Sequence, residues 1–130
     1  MVLSDQTSKE EIAKGRVVIE PLNPACIQPA SIDTHLDNKL LVFKTWRHPF
    51  YIDVRENSYV DTGWHEHLTL ELSNVAKLPV TLYYKVGIGQ ISFLRLTSPA
   101  ERLYGLPELG SKYQGHTGPT PTRYYEGFGR

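Results

Sequence analysis

Cysteine is nearly missing from this chain: Cys26 stands alone. One thiol excludes an internal disulfide and any cysteine-rich zinc site. Excess charge is missing too, since fourteen basic and fourteen acidic residues cancel. There is then no electrostatic footprint for generic nucleic-acid or anionic-membrane binding, and a polyanion needs a local site. No apolar run is long enough to span a bilayer, and nothing at the N-terminus resembles a charged segment followed by an apolar one. The sequence therefore reads as that of a cytosolic or otherwise reducing-compartment protein. It has no Gly-x-Ser-x-Gly elbow, no Walker spacing, no helical His-Glu-x-x-His, and no zinc-deaminase pattern with its cysteine pair. Internal repeats and low-complexity tracts are also lacking. A chain of 130 residues fits one domain, 1–130. Such a chain buries roughly two thirds of its unfolded surface, so association would help it.

What is present centres on HLTLELSN, residues 67–74. Successive side chains of a strand point to opposite faces, so Leu68, Leu70 and Leu72 share one face while His67, Thr69, Glu71 and Ser73 share the other. The pattern predicts a strand with a core side and a polar side, ended by Asn74. Glu71, a carboxylate between two hydroxyls, is the first candidate for chemistry; its plain alternative is a place on a solvated sheet face.

Ahead of that strand, residues 4–14 predict a short polar helix capped by Ser4 and ended at Gly15, with Ser8 and Glu11 as a competing capping box. RVVIEP predicts a strand stopped by Pro21, followed by a loop through Pro24. In IQPASIDTHLDN, Ile32, Thr34 and Leu36 alternate with Asp33 and His35, and Asp37-Asn38 suits a hairpin turn before the apolar run Leu40 to Phe43. Phe50 to Val54 reads as a strand and Arg55 to Ser58 as a turn, while Asp61-Thr-Gly-Trp64 reads as a turn into the central strand. Beyond Asn74 the pattern gives a connection at Lys77, a strand PVTLYYKV, a turn at Gly87 to Gly89 and a strand GQISFLRLTS. Many short strands with Gly and Pro turns and one short helix make an all-β barrel or sandwich. From Pro107 to Arg130 the chain is too aperiodic for a core element and too aromatic for a linker, so residues 106–130 are expected to form an extended arm that docks on something.

Five histidines raise metal binding. His65 and His67 share one strand face, but no third ligand is fixed, so their role is assigned to surface or interface contacts and no metal site is assigned. In the arm, Gly110-Ser-Lys-Tyr-Gln-Gly-His-Thr-Gly118 combines glycines that let backbone N–H groups approach an anion, the charge of Lys112 and the stacking face of Tyr113. That chemistry suits a nucleotide; the alternative is a flexible surface arm.

Four segments together carry a resemblance: IQPASID at 27–33, HLTLELSN at 67–74, IGQISFLRLTSPAERLYG at 88–105 and GSKYQGHTGPTPTR at 110–123. In this order they resemble the dCTP deaminase family, relatives of trimeric dUTPases. The resemblance implies a distorted β jelly roll of the dUTPase-like type that forms a homotrimer with active sites at subunit interfaces. It also implies zinc-free deamination, with a glutamate as general base on the water that attacks cytosine C4, and a magnesium-bound triphosphate as substrate. Glu71 matches the catalytic glutamate, Asp61 the aspartate of an Asp-Pro-Gly turn near the sugar, and Thr69 a strand position beside the base. Tyr104, Lys112, Tyr113 and His116 fall in the segment that closes over base and phosphates.

The chain departs from the family in a telling place. Between Ser58 and Tyr59 the family has further strands and a Gly-Arg-Ser-Ser-Leu-x-Arg motif that holds the triphosphate, a loss on the order of fifty residues. Asp61-Thr-Gly replaces Asp-Pro-Gly, Glu66 replaces a small residue, and His116 replaces a glutamine. Hydrogen bonds to charged groups contribute roughly 1.5 to 3 kcal/mol each, so losing two or three costs on the order of 3 to 9 kcal/mol. The first expectation is therefore a shortened trimeric relative with impaired or absent catalysis, serving as a structural module in a larger assembly such as a viral shell. The second is an active minimal dCTP deaminase that also cleaves dUTP, and the third a module that senses dCTP or dUTP without turnover.

Overall fold

A computed structural model of the chain describes residues 1–41, 59–72, 74 and 78–128. It divides into two units, Met1–Asn38 with Asn74–Pro99 and Lys39–Ser73 with Ala100–Arg130. The expected Phe50 to Val54 strand, the Arg55 to Ser58 turn, the Lys77 connection and most of the Leu40 to Phe43 run lie outside the described residues.

The first unit begins with helix α1, Asp5–Ala13. Ser4 caps it as expected: its backbone is extended and its Oγ accepts from the Thr7 N–H at 3.3 Å, which satisfies one of the unpaired donors of the first turn. The alternative capping box is not used, because Ser8 is buried within the helix and the Glu11 carboxylate takes the Arg16 guanidinium. Gly15 adopts φ +69 and ends the helix.

Residues 16–21 are not a strand, contrary to the β-branched pattern. Arg16 and Val17 direct their backbone N–H groups to the Glu11 carbonyl at 3.0 and 3.4 Å, and the Arg16 side chain also folds onto Glu11. The donors a ladder would need are used in closing the helix, and Val18 is left exposed.

Strands β1, Ile27–Gln28, β2, Ser31–His35, and β3, Gly87–Ile91, form an antiparallel sheet in that order. Ile27 faces Ile32, and Ile32 faces Ile91, so Ile32 on the middle strand is only 4% exposed and forms the core with Cys26. The other face carries a polar row across all three strands: Gln28 and Gln90 each donate from Nε2 to Asp33 at 2.8 Å. Both bonds favour the charged carboxylate and hold Asp33 below its ordinary range, Gln90 more strongly than Gln28.

The sequence pattern puts the turn at 87–89 and a strand at 79–86; the structure reverses this. Val86 N–H bonds to the Tyr83 carbonyl at 3.1 Å, Lys85 takes φ +64, and the turn therefore falls at 84–85. Leu36 then exchanges hydrogen bonds with Lys85 and Val86, both at 2.9 Å, so the ladder with β2 starts before Gly87 and the glycines lie inside a strand. The expected strand 89–98 is met only as far as Ile91, plus an isolated bridge between Val2 and Leu94.

In the second unit the described part of the expected central strand, residues 67–72, has no ladder partner among the described residues. Leu68, Leu70 and Leu72 are 37, 41 and 50% exposed, so the predicted core side is uncovered there. Period two fixes which side chains share a face; it does not supply what covers that face. The described regular structure is otherwise three single 3-10 turns, Pro24–Cys26, Pro107–Leu109 and Tyr124–Gly127. No described helix is long and apolar enough to cross a membrane.

A carboxylate held lower in the folded than in the unfolded state contributes stability above its unfolded value, and that contribution is lost as pH falls through the folded value. The melting temperature is thus expected to fall on acidification below about pH 4, and to fall less steeply in Asp33→Asn. Equal acid slopes in the two proteins would remove the Asp33 row from the explanation.

Candidate functional site

The site lies in the second unit and is built on the predicted Asp61-Thr-Gly-Trp64 turn. Trp64 N–H bonds to the Asp61 carbonyl at 3.1 Å and Tyr104 N–H to the Thr62 carbonyl at 2.8 Å, which brings residue 104 against the turn. The Trp64 indole N–H donates to the Tyr113 carbonyl at 3.0 Å. Tyr104 Oη accepts from the Tyr113 N–H at 3.1 Å, and Ser111 Oγ from the Gly105 N–H at 2.9 Å, so the 104–113 loop closes on itself.

These bonds enclose an open cleft of about 420 Å³ whose walls include Tyr59, Asp61, Tyr104, Ser111, Lys112 and Tyr113. That volume is within the range of small-molecule sites. Asp61, Tyr104, Lys112 and Tyr113 are all candidates from the sequence, and the structure brings them together. The walls hold one cationic side chain, Lys112, among the described residues. Arg123 is committed elsewhere: it donates to Glu126 at 2.6 Å, to the Lys112 carbonyl at 2.7 Å and to His116 Nε2 at 3.2 Å. Glu126 holds its guanidinium above the usual arginine value.

Glu71, Thr69 and His116 do not line the cleft. Glu71 is exposed on the 67–72 segment. His116 braces the arm: a guanidinium only donates, so His116 Nε2 is an acceptor toward Arg123, and its Nδ1 faces Thr120 Oγ1 at 3.4 Å. Thr69 Oγ1 accepts the Thr120 N–H at 3.1 Å, so in this chain it meets the arm. No group of three or more His, Cys, Asp or Glu among the described residues could hold a metal ion.

The arm docks on its own chain, along residues 63–69. Gln114, which sequence reasoning passes over, is the centre of that docking: Nε2 donates to the Gly63 carbonyl and meets His65 Nδ1, both at 2.8 Å, while Oε1 accepts from the His65 N–H at 3.3 Å. Trp64 is missed as well. Its place directly after the Asp61 turn is the available signal, as is the place of Gln114 inside the glycine-rich motif.

Gly63 sits at φ +96, and a Cβ there would lie 2.7 Å from Leu103 Cβ and 3.1 Å from the Tyr104 nitrogen. Gly63→Ala is expected to lower stability by about 1 to 3 kcal/mol, read as a lower melting temperature. No change would contradict the turn as described.

A family described as dCTP deaminase-like matches residues 2–62. The chain is 36% identical to the dCTP deaminase, dUMP-forming, of Mycobacterium avium over 186 residues, covering 98% of this chain and 98% of that protein. It is 35% identical to the protein of the same name from Acidothermus cellulolyticus over 189 residues, covering 100% of this chain and 98% of that protein. Both alignments are longer than the 130 residues of the chain, so many positions in each relative have no counterpart here, as expected of a chain shortened internally. The expectation of a structural or shell module finds no support in these matches, since the relatives are named as enzymes; they favour the enzyme reading over it. The chain belongs to the dCTP deaminase-like family, with an all-β fold of the dUTPase-like type.

Proposed function

We propose that this chain is a dCTP deaminase that carries its product on to dUMP. The observation that carries the reading is the cleft in which Asp61, Tyr104, Lys112 and Tyr113 converge, four positions that the family resemblance assigns to the nucleotide. The relatives' name, dCTP deaminase, dUMP-forming, supports both steps.

Glu71 takes a proton from the water that adds to C4 of the cytosine ring and returns it to ring N3; the water's second proton then passes to the 4-amino group, the C4–N bond breaks, ammonia leaves and dUTP results. A second water then attacks the α-phosphorus, the bond to the bridging oxygen breaks, and dUMP and pyrophosphate are released. Asp61 holds the sugar, Thr69 lies beside the base, and Tyr104, Lys112, Tyr113 and His116 belong to the segment that closes over base and phosphates. Magnesium arrives on the triphosphate; the described residues offer no cluster that would hold the ion itself, and no step is assigned to it.

Glu71 does not face the cleft of its own chain, which fits a site completed between subunits. We propose a homotrimer in which the uncovered Leu68, Leu70 and Leu72 face is buried by a second copy. Full burial of one exposed leucine contributes roughly 1.5 to 3 kcal/mol; these three are about half exposed, and completing their burial favours association. One observation supports a second reading, dCTP or dUTP binding without turnover: Lys112 is the single cationic wall residue among those described, and the family's triphosphate motif has no counterpart.

Incubation with dCTP and magnesium is expected to release ammonia, dUMP and pyrophosphate, and Glu71→Gln to abolish release while keeping the fold. Stabilisation by dCTP with no product would favour the second reading. Sedimentation at micromolar concentration is expected to give a trimer; a monomer only would remove the shared site.

A further inference from the structure

Pro119 and Pro121 have no N–H, so between 118 and 122 donors remain only at Gly118, Thr120 and Thr122. The structure meets the first two with side chains. Gly118 N–H donates to His67 Nδ1 at 2.8 Å, and Thr120 N–H to Thr69 Oγ1 at 3.1 Å. Both rows ascend together.

His67 grips the arm at two separate residues. Its own N–H donates to the His116 carbonyl at 3.2 Å, while its ring accepts from Gly118, so the arm is fixed at two positions on either side of Thr117. Gly118 takes φ +76, a conformation that favours glycine and turns its N–H toward the ring. Thr69 holds the arm through its side chain alone.

We infer that His67 is a positioning residue: through Nδ1 it sets the register of the arm, and with it the place of Lys112 and Tyr113 in the cleft wall. The catalytic consequence rests on the deaminase reading above; the register itself does not. Asparagine places an acceptor oxygen close to where Nδ1 lies, so His67→Asn keeps the bond and His67→Ala removes it.

Backbone amide exchange on the full chain tests the register directly. The Gly118 amide is expected to exchange about five- to tenfold faster in His67→Ala, and at the original rate in His67→Asn, with amides of β2 unchanged in both as a control on folding. With dCTP as the probe, kcat/KM is expected to drop by a similar factor in His67→Ala and to recover in His67→Asn. Unchanged Gly118 exchange in His67→Ala, or exchange in His67→Asn as fast as in His67→Ala, overturns the inference. If the unaltered chain does not turn over dCTP, the deaminase reading fails while exchange still decides the register. If exchange responds as expected and kcat/KM in His67→Ala does not, the catalytic role is overturned.

Discussion

The second unit depends on one set of hydrogen bonds, those that tie the arm from Tyr113 to Thr120 onto residues 63–69. No strand ladder among the described residues holds the two together. Each bond contributes only about 1 kcal/mol net, so the arm is held by their sum. Gln114 fills the gap between Gly63, His65 and Tyr104, and a side chain at Gly105, where φ is +96, would meet it at 2.8 Å. The cleft walls are the two ends of this connection, the Asp61 turn on one side and the 104–113 loop on the other.

Where local chemistry decides local structure, the residues can be read directly. Ser4 and Gly15 bound α1, and the Asp61 turn forms where Thr62-Gly63 allows it. The arm is legible as a docking element because its tyrosines and glycines suit neither core nor linker. Misreadings arise where two patterns compete. At 16–20 the β-branched run yields to the helix end, because Arg16 is within reach of Glu11. At 84–89 the glycines mark a turn by composition, but Leu36 captures Lys85 and Val86 first and moves the turn back. Alternation in 67–74 predicts which side chains share a face, and it cannot say that Leu68, Leu70 and Leu72 stay about half exposed.

Function is legible to the level of family. The four motif segments lead to the dCTP deaminases, and the similarity spans the chain from end to end. The weight placed on the shortened middle carries the first expectation too far, toward a structural module. A phosphate ligand that one subunit does not carry can come from the next subunit of an assembly, and an internal gap in one sequence says nothing about its neighbours. His65, Glu66, His67 and His116, which read as departures from the family or as surface residues, include those that hold the arm in place here.

Calorimetric titration of the full chain with dCTP and magnesium most directly tests the claim that the cleft beside the Asp61 turn is a nucleotide site. The account requires saturable dCTP binding that weakens about tenfold or more when Lys112 is replaced by alanine, the value of one charge-assisted hydrogen bond. Absence of dCTP binding, or binding that ignores both Lys112→Ala and Tyr104→Ala, would contradict it.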